Sequence, residues 1–202
     1  MPFAERLGMA SLAIVAAAAL ATRPALYATL LGETAGPVRL VWTLAGYFTL
    51  LTALAAAVLF GRAAITGRAP GDQGLSALAL SLALVAGVYH LFLSELWDPP
   101  GIHRWADIGL HAVLPAGSAL IWLWRAPGMR LGLADPARWL VWPAAYGVYA
   151  ILRGALTGAY PYPFLDPRVA GIGAVVTNVA GIALAAALTG WAMWAIARLM
   201  RH

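Results

Sequence analysis

Six apolar stretches constrain this chain more than any other feature. They lie at about 7–30, 39–61, 75–96, 105–125, 139–158 and 170–198. A bilayer core of ~30 Å needs about 20 apolar residues in a helix to cross it. The separators carry turn and breaker residues: GETAGP, GRAPGDQG, WDPPGIHR, RAPGMRLGLADPAR and YPYPFLDPR. A soluble helical core would show polar faces at helical spacing, and these stretches lack them. Of 202 residues, 62% are hydrophobic and 10% charged. So small a soluble protein could not hide that much apolar surface. The expectation is an all-α, polytopic integral membrane protein: one bundle of six transmembrane helices with no separate soluble domain.

The start of the chain has the look of a signal peptide. Glu5 weakens its basic end and the apolar stretch is long, so an uncleaved first span is expected. The net charge is +5, and every basic residue is arginine. The arginines stand singly at the ends of apolar runs, a pattern of membrane topology rather than of nucleic-acid binding. With the N-terminus inside, Arg6, Arg62, Arg68, Arg125, Arg130, Arg138, Arg198 and Arg201 fall on the inner side. The positive-inside rule then places both termini in the cytoplasm. The outer connection between the third and fourth spans is acidic, with Glu95, Asp98 and Asp107. Tryptophans cluster near span ends, where an aromatic belt belongs.

Polar groups within spans are costly and face the bundle interior. Thr49 lies ten residues beyond Arg39, roughly 15 Å into the bilayer at ~1.5 Å per residue. His90, His111, Arg153 and Asn178 fall in the same outer-to-middle layer, which implies a polar cavity there. A threonine and a histidine at one depth can form a nucleophile and its base, because imidazole titrates near neutrality. Asn178 or a backbone N–H would stabilise the oxyanion. Arg153 pairs with Glu95 or Asp98 in the plainer reading. Thr43 and Thr52 are rival nucleophiles. The chain has no cysteine, and no GxSxG, HExxH, P-loop or Rossmann motif occurs. No metal and no cofactor are called for. The alternative is a non-enzymatic lipid binder, or a haem carrier with His90 and His111 as iron ligands.

Three blocks carry a family resemblance: YFTLLTALAAAVLF (Tyr47–Phe60), IGLHAVLPA (Ile108–Ala116) and TGAYPYPFLDP (Thr157–Pro167). In that order they resemble the androgen-induced protein family of multi-span membrane proteins, which includes the androgen-dependent TFPI-regulating protein and many bacterial members. The H-x-x-x-P step at His111 and Pro115 and the YPFL core are the more specific parts. The resemblance implies a membrane hydrolase of fatty acid esters of hydroxy fatty acids, or of similar lipid esters. It implies Thr49 as nucleophile, His111 as base, and the cytoplasmic membrane of a bacterium as location. Two positions depart from the animal members: Thr52 replaces an aspartate, and Arg153-Gly154 stands where histidines flank the fifth span. The proline-rich segment is expected at the cavity mouth. There Tyr162 and Phe164 would contact substrate, as a rigid rim or an interfacial anchor. It offers no obvious base.

Overall fold

The computed structural model describes residues 1–32 and 36–201. The centre of the first connecting segment and His202 lie outside them. Helix makes up 82% of the structure and no strand occurs among the described residues, so the chain is all-α. In order the helices are α1 (Phe3–Leu31), α2 (Pro37–Leu44), α3 (Phe48–Thr66), α4 (Asp72–Val88), α5 (Ile102–Ile108), α6 (Leu114–Arg125), α7 (Asp135–Trp139), α8 (Val141–Thr157), α9 (Pro167–Ala170) and α10 (Ile172–Leu199). A π-helical turn, Tyr89–Leu93, extends α4, and another, Gly109–Val113, joins α5 to α6. Five helices are long and apolar enough to cross a membrane: Phe3–Leu31, Phe48–Thr66, Asp72–Leu93, Ile102–Gly128 and Ile172–Leu199. The fifth expected span corresponds to α8, whose 17 residues stand at the short limit for a crossing.

The second expected span is not one helix. It breaks at Ala45–Tyr47, between α2 and α3. There the chain tightens to Gly46 N–H→Thr43 C=O and Tyr47 N–H→Leu44 C=O bonds, and Tyr47 then turns extended. A broken helix at bilayer depth needs its freed carbonyls satisfied by neighbours. Two tyrosines of α8 do this: Tyr146 donates to Gly46 C=O at 2.7 Å and Tyr149 to Ala45 C=O at 3.2 Å. A Cβ at Gly46 would meet the Arg153 guanidinium and the Thr43 carbonyl, so the break packs closely here.

Buried residues form two clusters. The larger joins α1, α3, α4 and α6 around Met9, Phe60, Leu75 and Leu114. Its small members, Ala16, Ala19, Ala53 and Ala56, let α1 and α3 approach closely, as small residues do between membrane helices. The second gathers Phe48, Leu84, Val85, Tyr146, Tyr162 and Ala186. Outward faces carry exposed large apolar residues such as Ile14, Leu54, Trp124 and Leu156. Such surface suits lipid rather than water.

The Phe3 end of α1 and the Leu199 end of α10 lie at the same end of the bundle. Arg125 pairs with Glu5 at 2.7 Å there, and Ala197 packs into the larger cluster. The break at Ala45–Tyr47 and the segment 158–166 lie at the opposite end, where the cavities open.

Candidate active site

Thr49 is the second residue of α3. The break delivers it to the helix N-terminus, where backbone N–H groups lack intrahelical acceptors. The Phe48 N–H donates to the Tyr162 hydroxyl at 3.1 Å, and Thr49 and Tyr146 flank the same oxygen. Tyr162 therefore caps α3 from a segment more than a hundred residues away.

His111 sits on the π turn before α6. Pro115, four residues on, has no N–H to give the His111 carbonyl, so one α-helical hydrogen bond is lost at this point. The Leu114 N–H instead reaches back to the Gly109 carbonyl, one residue farther than in an α-helix. Wide turns of this kind recur at functional sites. The other π turn carries Tyr89, whose ring stacks on His111 with centroids 3.8 Å apart and planes 11° apart.

The His111 Nε2 stands 3.5 Å from the Thr49 Oγ1. Its Nδ1 faces two acceptors, the Asp107 carbonyl at 3.1 Å and the Asp107 Oδ1 at 3.3 Å. Facing only acceptors, Nδ1 carries the proton, and Nε2 is left to accept one from Thr49. Asp107 is 5% exposed. Its other oxygen accepts from the Tyr89 hydroxyl at 2.6 Å, and Arg23 stands 3.6 Å from Oδ1. Thr49, His111 and Asp107 thus form a nucleophile–base–orienter row. The 3.5 Å step lies at the long end of hydrogen bonding, as such pairs often are before substrate binds.

Two chambers meet at this row. The more polar one, of about 230 Å³, is lined by Arg23, Tyr27, Tyr47, Thr49, Asp107, His111 and Tyr162 together with leucines and prolines. An apolar one of about 410 Å³ lies between α4, α8 and α10. Thr49, Tyr89, Leu93 and Tyr162 line both. Arg23 is 4% exposed, and its Nε and one terminal nitrogen have no hydrogen-bond partner.

Of the residues expected from sequence, Thr49, His111 and Tyr162 meet in this site, and Phe164 lines the apolar chamber while stacking on Tyr162. Three others do not reach the chamber walls. Asn178 donates its amide to the Phe164 carbonyl at 3.1 Å, which holds the 158–166 segment onto α10. His90 is exposed on the outside of its turn. Arg153 pairs with neither Glu95 nor Asp98. Its guanidinium lies 4.5 Å over the Trp42 ring and donates to the Tyr149 hydroxyl, bracing the α2–α3 break from below. Among the rival threonines, Thr43 donates to its own helix at Arg39 C=O and Thr52 accepts from the Trp142 indole. Both histidine nitrogens of the row are engaged and His90 points away, an arrangement unsuited to a shared haem.

In the sequence Asp107 groups with Glu95 and Asp98 in the acidic outer connection and has no assigned part in the site. Its i, i+4 spacing to His111 puts both on one helix face, and that signal was available. Arg23, alone inside a long apolar run, was another. No protein-family model matches the chain, and neither a curated protein nor a solved structure matches it.

Proposed function

We propose that this chain is an intramembrane threonine-dependent hydrolase of lipid esters, related to the androgen-induced protein family. The observation that carries this reading is the contact of Thr49 with His111, whose far side rests on buried Asp107. Thr49 Oγ1 attacks the ester carbonyl and His111 Nε2 takes its proton. The oxyanion forms beside the Tyr162 O–H, a donor suited to developing negative charge. His111 then protonates the departing alkoxide, leaving an acyl group on Thr49, and water drawn through the same base releases the acid.

The fatty acid esters of hydroxy fatty acids suit the polar chamber, because Arg23 on its wall supplies a cation complementary to a free carboxylate. Six crossings, with α8 as the short fifth, and both termini in the cytoplasm complete the reading. It is supported by the arginines of the termini end: Arg6, Arg62, Arg68, Arg125, Arg130, Arg138, Arg198 and Arg201. A lipid binder without turnover would share the apolar chamber but has no use for the Thr49–His111–Asp107 row.

The test is labelling of membranes by a fluorophosphonate probe, with wild type, Thr49→Ala and His111→Ala compared. The wild type is expected to label at Thr49, and both variants to lose labelling. Equal labelling of all three, or full ester hydrolysis by Thr49→Ala, would remove the assignment.

A further inference from the structure

The apolar chamber has no part in the proton transfers, yet its wall includes the nucleophile. Its volume of about 410 Å³ falls within the range typical of ligand sites. Apart from the tyrosines and Thr49 at its mouth, its lining is aliphatic and aromatic, so water gains little there. Along α8 the lining runs from Pro143 to Ile151, roughly 12 Å of helix at ~1.5 Å per residue. The chamber thus extends along α8, with Thr49 on its wall.

It is also open on one flank. α8 and α10 touch little directly. Val148, 60% exposed, stands on the chamber wall and on the outer surface at once. That flank belongs to the side of the bundle facing lipid. Gly147 lies in the middle of the α8 wall, and a Cβ there would meet nothing within 4 Å. An absent side chain, rather than a backbone need, keeps this part of the chamber clear.

We propose that this chamber holds the acyl chain of the ester, entered sideways from the bilayer between α8 and α10, and that Gly147 keeps it open to long chains. The assignment rests on the lipid-ester hydrolase reading. It divides the substrate: the acyl half lies along α8, and the leaving half lies in the polar chamber. Each methylene buried is worth ~0.8 kcal/mol, so losing about two of them slows capture by roughly tenfold.

The experiment uses the full chain in nanodiscs with two probes. Alkyl fluorophosphonates of octyl and hexadecyl length report reaction at Thr49: its oxygen bonds to phosphorus, fluoride leaves and His111 takes the proton. A fatty acid with a diazirine in its tail reports occupancy by photo-crosslinking, mapped by mass spectrometry. Wild type is expected to react faster with the hexadecyl probe and to crosslink on α8 and α10. Gly147→Leu is expected to slow the hexadecyl probe by about tenfold or more while sparing the octyl probe. Ala183→Trp, on the facing wall, is expected to do the same without touching the α8 backbone. Both variants should elute as the wild type does. Thr49→Ala should lose phosphonate labelling and keep the crosslinks.

Equal chain-length profiles in wild type and both variants, or crosslinks confined to other helices, would overturn the acyl chamber while leaving Thr49 labelling intact. Labelling that survives Thr49→Ala would overturn the hydrolase reading instead, with the crosslinks unaffected.

Discussion

The Asp107 carboxylate lies 3.3 Å behind the His111 imidazole, and His111 in turn lies 3.5 Å from the Thr49 hydroxyl. Because Asp107 fixes the Nδ1 proton, Asp107→Asn can present the wrong tautomer to Thr49. Its kcat on a lipid ester is expected to fall by about 10²- to 10⁴-fold with KM little changed. Steady-state hydrolysis checks this. A loss confined to KM would remove Asp107 from the base's support.

Arg23 and Asp107 are buried partners 3.6 Å apart. Removing one charge leaves the other uncompensated, which costs ~3–5 kcal/mol for a buried pair. Arg23→Gln and Asp107→Asn are each expected to lower the melting temperature in detergent. The double variant is expected to recover much of the loss, because no charge is then stranded. Additive losses would show that the two groups do not interact.

The Tyr162 hydroxyl both caps α3 and borders the nucleophile. Tyr162→Phe keeps the ring stacked on Phe164 and removes only the oxygen. Loss of one oxyanion donor lowers kcat by about 10²- to 10³-fold, and loss of a helix cap costs ~1 kcal/mol. Both readouts are expected to move together. A stability loss with unchanged kcat would confine Tyr162 to capping.

Gly154 of α8 exists to admit Tyr160, whose ring would collide with any Cβ there. Gly154→Leu is expected to destabilise by ~1–3 kcal/mol through overpacking. It should also raise hydrogen exchange in residues 158–166, measured by mass spectrometry, without unfolding α3.

At the far end of that segment Asp166 accepts from Arg168, which also donates to the Gly158 carbonyl. The Arg168 hydrogen bonds hold the Asp166 carboxyl below its ordinary range. A carboxylate with a lowered folded-state pKa contributes stability above its unfolded value and loses it as pH falls through the folded one. Protection of the 158–168 amides, relative to their intrinsic exchange rate at each pH, is therefore expected to stay flat from neutrality to the ordinary carboxylate range and to fall only at lower pH. Asp166→Asn should show the lower protection at all pH values.

Particular residues show how far the sequence could be read. Apolar length marked the crossings because a bilayer tolerates only satisfied backbone, and length is a local property. Thr49 and His111 stood out because polar groups are rare in such runs. Asn178 and His90 stood out for the same reason, yet the first ties down a loop carbonyl and the second faces outward. Depth along a helix follows from counting residues, whereas azimuth depends on which neighbours pack against it. The same limit hid Asp107, whose place near a span end said nothing of its turn toward His111.

The sequence by itself determined that this chain is helical and suited to lipid, because hydropathy and breaker residues act within each segment. It also carried the His111–Pro115 step, whose missing N–H removes one helical hydrogen bond. Only the tertiary structure decided the rest. The helix break at Ala45–Tyr47 is held by Tyr146 and Tyr149 of α8, and the α3 N-terminus is closed by Tyr162 from the proline-rich segment. Those partners lie about a hundred residues away in the chain, and hydrogen bonds across such separations exist only once the helices have packed.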